Sequence, residues 1–312
     1  MKYSVAKQQY LEEKAKIAIE WQKAKKLIDE RLEEILSTLG EDALPSVAKH
    51  IITGGKRFRG FLTIATAKAL GAKVEDALDA AVAIELVQAA SLAIDDIIDR
   101  DSERRGKRAA WVLFGVEKTV LTSLILIPVA QRIVEKLGFK ALFHVIRTWE
   151  VTVRGEVMDS ILGRRLPPTS YMRLVEEKTA ALFKLSTILG ALSAGVSDDN
   201  LLDNVGRYGL KVGIIYQVAD DLADYTVKTR KDVPLQPGEE LFIKWAKSLN
   251  RENPIDASIE FLREQVWQAA SIVDNIPFKE EYKAMFRLIP VFLVKKLFEE
   301  AGVDYTRVFD LV

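Results

Sequence analysis

Two groups of aspartates carry the chemistry this sequence could do. The first is Asp95, Asp96 and Asp99, in AVAIELVQAASLAIDDIIDRDSERR. The second is Asp220, Asp221 and Asp224, in GIIYQVADDLADY. Each follows an apolar run with helical spacing, and residues four apart share a helix face. Asp95 and Asp99 therefore point the same way, with Asp96 about 100° round. Carboxylates crowded at the mouth of an apolar helix repel one another and are costly to leave dry. A hard divalent cation relieves that cost, and Mg²⁺ prefers one or two carboxylates completed by waters and substrate phosphates. One such motif alone reads as a solvated acidic turn. Its recurrence points to two clusters that face each other across a cavity and hold metal around one diphosphate.

The positioning elements follow from the hydrophobic pattern. Helical periodicity covers residues 4–39, ended by Gly40, and a short helix opens at Pro45. GGKRFRG, at 54–60, is a turn whose backbone N–H groups can approach an anion, with Lys56, Arg57 and Arg59 adding charge; it also fits a helix C-cap. Helices are predicted over 61–70 and 74–100, the latter carrying the first cluster. Arg104 and Arg105 come just after it, where they would also complement a helix dipole. The next helix runs through Leu124, and Pro128 should kink or end it. A helix over 140–162 closes with Glu156 and Asp159. Lys178 and Thr179 lie in EEKTAALF within 171–195, and the second cluster rides on 200–225, preceded by Gln217. The polar stretch 226–240 reads as a mobile surface loop. Helices over 241–249, 254–273 and 279–301 finish the chain. No strand and no domain boundary is predicted, so 1–312 reads as a single all-α domain with an N-terminal helix in 1–40.

Composition removes several function classes. The chain has 312 residues and a formal net charge of zero, which gives no reason to expect nucleic acid; local basic clusters must hold any phosphate. It has no cysteine, so disulfide and thiolate chemistry are excluded. The N-terminal MKYSVAKQQYLEEKAK lacks the apolar core of a signal peptide. The apolar run VLTSLILIPVA is too short to span a bilayer. A soluble, cytoplasmic protein is the expectation.

The order GGKRxR, DDxxD followed by RRG, GxxxD, KT, and a second DDxxD preceded by Gln resembles the trans-prenyl diphosphate synthases, over about residues 54–225. The resemblance implies an isoprenoid-synthase fold, with about ten core helices around a deep central cavity. It implies a homodimer that joins isopentenyl diphosphate head-to-tail to an allylic diphosphate such as farnesyl or geranylgeranyl diphosphate. The cofactor implied is Mg²⁺, about three ions per site. Carried over residue by residue, Asp95, Asp96, Asp99, Asp220, Asp221 and Asp224 hold the metal. Arg104, Lys178, Thr179, Gln217 and a loop lysine (Lys228 or Lys231) hold the allylic diphosphate. Lys56, Arg59, Arg105 and Gln88 serve isopentenyl diphosphate. This chain departs from the family pattern at Gln88 (often His), Gly60 (Pro), Gly155-Glu156 (Gly-Gln) and Thr122-Ser123 (Gly-Asp).

The same resemblance makes the residues one helical turn before Asp95 a floor for the growing tail. Here they are Ala90 and Ser91, with Val87 a turn deeper, and nothing there blocks growth. Each prenyl unit needs about 5 Å of tunnel, roughly one helical turn. The expected product is therefore a medium or long all-trans chain, able to partition to a membrane. The alternative is a geranylgeranyl diphosphate synthase whose floor lies on a facing helix, with Trp149 as one aromatic that could supply it. A non-catalytic subunit of a heteromeric synthase is a further alternative, favoured by the lost Gly-Asp. A terpene cyclase would not need GGKRFR or a second DDxxD. A di-iron bundle would want Glu-x-x-His pairs, and neither His50 nor His144 ends one.

Overall fold

The computed structural model describes residues 2–40, 44–231, 235–249 and 253–304. The side chain of Lys231 lies outside what is described. The chain is all-α, as expected. Helices α1 (Lys2–Leu36), α2 (Leu44–Ile52), α3 (Phe58–Ala69) and α4 (Val74–Ile98) lead to a small hairpin, β1 (Glu103–Arg104) and β2 (Lys107–Arg108). Then come α5 (Ala110–Phe114), α6 (Val116–Glu135) and α7 (Phe139–Glu156). After α8 (Tyr171–Val175) and α9 (Ala181–Ser193), the long α10 (Asp199–Lys231) carries the second cluster. Helices α11 (Pro237–Ser248), α12 (Pro254–Val273) and α13 (Glu280–Ala301) end the fold.

The chain divides into two compact units. One comprises Ile19–Thr148 and Leu185–Leu202; the other comprises Met1–Ala18, Trp149–Lys184 and Asp203–Val312. In the first, α4 is apolar on nearly every side and packs on α3 and α6. By length and composition α4 could cross a bilayer, more so than the run near Leu124, but it is mostly buried as a core helix. Ile84 and Leu86 are 1% and 0% exposed, and burying each contributes about 1.5–3 kcal/mol. Pro128 does not end α6, which continues to Glu135. The flanking Leu126, Ile127, Ala130 and Val134 are buried, while the face holding Leu124 is open to water. The Leu124 carbonyl, which loses its helical donor to Pro128, can be solvated there.

In the second unit, α11 packs on α8 and α12, and α12 on α13. Tyr208 is fully buried, and its hydroxyl donates to the Phe286 carbonyl at 2.6 Å. Two single turns of π-helix interrupt the regular helices, at Val157–Leu162 and Glu176–Ala180. The second is pinched between glycines. A Cβ on Gly155 of α7 would lie 2.3 Å from the Lys178 nitrogen, and one on Gly213 of α10 would lie 2.5 Å from the Ala180 Cα. Only glycine lets backbones approach so closely.

The stretch expected as a mobile loop over 226–240 is helical at both ends. Helix α10 runs on to Lys231 and α11 starts at Pro237, while 232–234 lie outside the described residues. Thr226 is buried and bonds back to the Leu222 carbonyl, and Lys228 pairs with Glu239. Pro237 sits at the first helical position, and Gln236 and Glu239 form a capping box, with Gln236 N–H donating to Glu239 at 2.8 Å.

Candidate active site

The first cluster sits where α4 stops. The Asp99 N–H still donates to the Asp95 carbonyl at 2.8 Å, so Asp95 and Asp99 stay one turn apart on one face. Arg100 then takes a left-handed conformation (φ 59°), and the Asp101 N–H closes back on the Asp96 carbonyl at 2.9 Å. The chain reverses through β1 and β2, paired Glu103 to Arg108 and Arg104 to Lys107. Arg105 and Gly106 form the two-residue turn, both with positive φ (56° and 71°), as a tight hairpin of this hand requires. The hairpin is pinned by the Trp111 indole N–H on the Asp101 carbonyl (2.8 Å) and by His50 Nε2 at the Arg108 carbonyl (2.9 Å).

That geometry lays Arg104 on the aspartates. Its Nε donates to Asp96 Oδ1 at 2.6 Å, and Nη2 lies 3.8 Å from Asp95 and 3.6 Å from Asp101. Asp96 is 3% exposed. Burial raises its carboxyl above the usual range, the charges of Asp95 and Asp101 add to this, and Arg104 opposes it. Arg105 points elsewhere, donating to the Thr53 carbonyl at 2.9 Å. A cavity of about 80 Å³ opens here, lined by His50, Thr53, Gly54, Asp96, Arg104 and Arg105 among others.

Lys56, Arg59 and Gln88 are not among its lining residues. Arg57 is turned inward, 3% exposed, with Nε on Asp29 at 2.8 Å and Nη1 3.6 Å from the buried Glu85. Glu85 also accepts the Gly60 N–H at 2.8 Å. This accounts for Gly60 where the family has proline: proline has no N–H to give Glu85. The Glu85 and Arg57 pair thus fixes the backbone that carries Lys56 and Arg59. Gln88 keeps a buried amide oxygen without a partner among the described residues. Ala90 and Val87 are buried, and Ser91 is half-buried with its hydroxyl on the Gln88 carbonyl at 2.9 Å.

The second cluster lies inside α10, which continues past it. Asp221 Oδ1 accepts the Gln217 amide at 2.9 Å, and Oδ2 accepts the Tyr171 hydroxyl. Gln217 Oε1 accepts Thr179 Oγ1 at 2.5 Å. Burial pushes the Asp221 carboxyl well above its ordinary value; Tyr171 and Gln217 oppose this, and the charges of Asp220 and Asp159 reinforce it. Lys178, on the pinched π-turn, donates to Asp159 and lies 3.0 Å from Glu156. Asp224 is exposed at the surface, and Lys228 stands on α10 rather than in a loop. Trp149 is half-buried on α7.

Among the described residues no three acidic or histidine side chains converge as a closed metal cage. The donor set still suits Mg²⁺, which needs one or two carboxylates and completes its shell with water and phosphate oxygens. Asp95 and Asp99, on one face at an open helix end, meet that requirement. Tyr171, Glu85 and Gly213 have no signature in the sequence, because their roles depend on partners far along the chain.

An all-helical fold with two Asp-Asp-x-x-Asp helices is that of the isoprenoid synthases. Residues 41–233 match the polyprenyl synthetase family, and the chain belongs to it. It is 36% identical to a hexaprenyl pyrophosphate synthase from Saccharolobus solfataricus, over 91% of this chain and 97% of that one. It is 32% identical to a geranylgeranyl pyrophosphate synthase from Geoglobus acetivorans, over 65% of this chain and 66% of that one. The solved geranylgeranyl pyrophosphate synthetase from Geoglobus acetivorans superposes with a TM-score of 0.75 at 26% identity, covering 88% of this chain and 99% of that one. The chain is a prenyltransferase.

Proposed function

We propose that this enzyme condenses isopentenyl diphosphate with farnesyl or geranylgeranyl diphosphate to give an all-trans chain longer than geranylgeranyl. The observation that carries this is the end of α4, where one hairpin lays Arg104 on Asp96 and near Asp95, with Asp99 one turn on from Asp95. Asp95, Asp96, Asp99, Asp220, Asp221 and Asp224 hold Mg²⁺ in this reading. Bound there, Mg²⁺ supplies positive charge to a diphosphate leaving group.

Arg104 and Lys178 bind the allylic diphosphate and take up charge as its C–O bond breaks. Each is already paired with carboxylates, so each is held in place before substrate arrives. Thr179, next to Lys178, and Gln217, bonded to Thr179, serve the allylic diphosphate with Lys178. Lys56, Arg59 and Arg105 orient isopentenyl diphosphate, with Gln88 beside them. The apolar wall of α4 keeps water from the allylic cation. The double bond of isopentenyl diphosphate attacks that cation, and the departing pyrophosphate accepts the proton then lost.

Two features support the longer product. Ala90, Ser91 and Val87 are small and place no aromatic on α4 before Asp95, and the chain matches 97% of the hexaprenyl synthase relative. A homodimer in the cytoplasm completes the reading. Leu121, Leu124 and Ile125 of α6 and Phe139, Phe143 and Ile146 of α7 are exposed apolar side chains, Phe139 at 82%. A second copy would cover them.

Incubating the purified protein with labelled isopentenyl diphosphate, Mg²⁺ and either primer tests the reaction, with product length read by chromatography. A ladder passing geranylgeranyl is expected. A stop at geranylgeranyl would place the floor off α4. No product from folded protein would favour a non-catalytic subunit.

A further inference from the structure

Lys178 stands between two carboxylates of unequal freedom. It donates to Asp159 and lies 3.0 Å from Glu156 Oε2. Lys178 is 23% exposed and each carboxylate 21%, so water screens the attraction only in part. Asp159 is wedged in place. A Cβ on Gly238, in the first turn of α11, would lie 2.1 Å from Asp159 Oδ1, and one on Gly163 would lie 2.8 Å from Pro237 Cβ. The π-turn that carries Asp159 is thus fastened to α11. Glu156 ends α7, and the close backbone approach of Gly155 to Lys178 keeps it within reach. Its longer side chain can swing away by rotation about its own bonds. Two carboxylates therefore outnumber one ammonium where the reading above places an allylic diphosphate. The glutamine of the family pattern at this position would leave the charges balanced.

We propose that Glu156 is a positioning residue that sets the affinity for the allylic diphosphate: it holds Lys178 in the free enzyme and gives it up to the diphosphate, while Asp159 stays in place. This rests on the reading of Lys178 as a ligand of the allylic diphosphate. Substrate must displace Glu156 and then bind beside its charge, so part of the attraction of Lys178 for the diphosphate is offset by the exchange. The return of Glu156 to Lys178 favours departure of the diphosphate in the same measure.

Glu156→Gln separates charge from shape, since glutamine keeps the length and an oxygen that can accept from Lys178. Glu156→Gln, Lys178→Gln and the double variant are each checked for native helical content. They are compared by calorimetric binding of inorganic pyrophosphate in Mg²⁺ and by KM for each substrate. Glu156→Gln should bind pyrophosphate about 3–10-fold more tightly, the range of a partly screened ion pair, and KM for the allylic diphosphate should fall with it. KM for isopentenyl diphosphate should stay near the parent value. A gain in affinity is a readout that a loosened fold cannot give. In the Lys178→Gln background the same change should lose most of its effect, since no ammonium is left to release. Unchanged or weaker pyrophosphate binding in Glu156→Gln overturns the proposal, and so does an equal fall in both KM values. A gain that persists in full without Lys178 overturns it too, because the charge would then act directly on the diphosphate. Should Lys178→Gln alone bind pyrophosphate as the parent does, the reading of Lys178 itself fails and takes the proposal with it. Weakened binding there without a gain in Glu156→Gln sinks the proposal alone.

Discussion

At the end of α4, the Asp-Asp-x-x-Asp motif coincides with the end of a helix; on α10, the same spelling lies within a helix that runs seven residues past Asp224 to Lys231. The first cluster is held by a short, local device. A two-residue turn folds Arg104 back onto Asp96, and the hairpin is clamped by Trp111 nearby in sequence, by His50 of α2 and by Thr53 just after it. The second is held by a buried network whose members come from α8, the π-turn at Glu176–Ala180 and α10, backed by α11. Identical motifs therefore specify the charges a site offers and leave its mechanics to the surroundings. A turn can reposition Arg104 with little effect on the core. The second cluster can move only if several helices move.

The largest effect tests whether both clusters serve one reaction. Asp95→Ala and Asp220→Ala should each lower turnover by about 10³-fold or more, since each removes metal-borne charge stabilisation worth several kcal/mol, while circular dichroism stays helical. If only one variant loses turnover, the clusters are not equivalent partners and the comparison is between a catalytic and a structural site.

Backbone frames should differ in tolerance. Gly213→Ala puts a methyl group 2.5 Å from Ala180 Cα, where only backbone could give way. Overpacking of this kind costs about 1–3 kcal/mol or more, so thermal unfolding should drop by many degrees and activity should fall with it. Gly106→Ala meets nothing within 4 Å, and its penalty is the left-handed φ of 71°, about 1–2 kcal/mol. Equal losses in the two variants would mean that the hairpin is as tightly built as the helix crossing.

A substitution on the α4 wall reads product length as well as stability, because Ala90 is buried and a larger side chain there must displace its neighbours. Ala90→Phe should shorten the product by at least one prenyl unit, because the ring fills about one helical turn of tunnel. An unchanged ladder would remove α4 from the control of chain length.

Much of the helical framework could be read from local signals. Helix α12 spans Pro254–Val273 as expected, because Pro254 occupies the first position and Asn253 caps the Ile255 N–H at 3.0 Å. Helix α4 begins at Val74 as expected and stops two residues short of Arg100, where Arg100 turns left-handed. The stretch 226–240 was harder, since its polarity masked a capping box and a proline at the first turn of α11. The aspartates were legible because repetition of a costly pattern is informative. Tyr171 was not, because an aromatic in an apolar helix reads as packing whether or not its hydroxyl meets a carboxylate fifty residues away. Arg57 likewise reads as one more cation for an anion, and only the positions of Asp29 and Glu85 turn it inward.

The smallest effect expected is on the hairpin clamp. Trp111→Phe keeps a ring in the same place and removes only the indole N–H that reaches the Asp101 carbonyl at 2.8 Å. One hydrogen bond of this type contributes about 1 kcal/mol, so unfolding should shift by only a few degrees. The Asp101 carbonyl lies at the start of the reversal that leads to Arg104 and Arg105. Loosening it should widen the range of positions those arginines sample without touching the aspartates. KM for isopentenyl diphosphate should therefore rise several-fold, within the roughly tenfold that 1.4 kcal/mol allows, while kcat at saturation changes less. Tyr171→Phe should do the reverse, lowering kcat at nearly constant KM, because the network it anchors has little slack. If Trp111→Phe lowers kcat and leaves KM alone, the hairpin serves the bond-breaking step, and the contrast between a repositionable first cluster and a fixed second one fails.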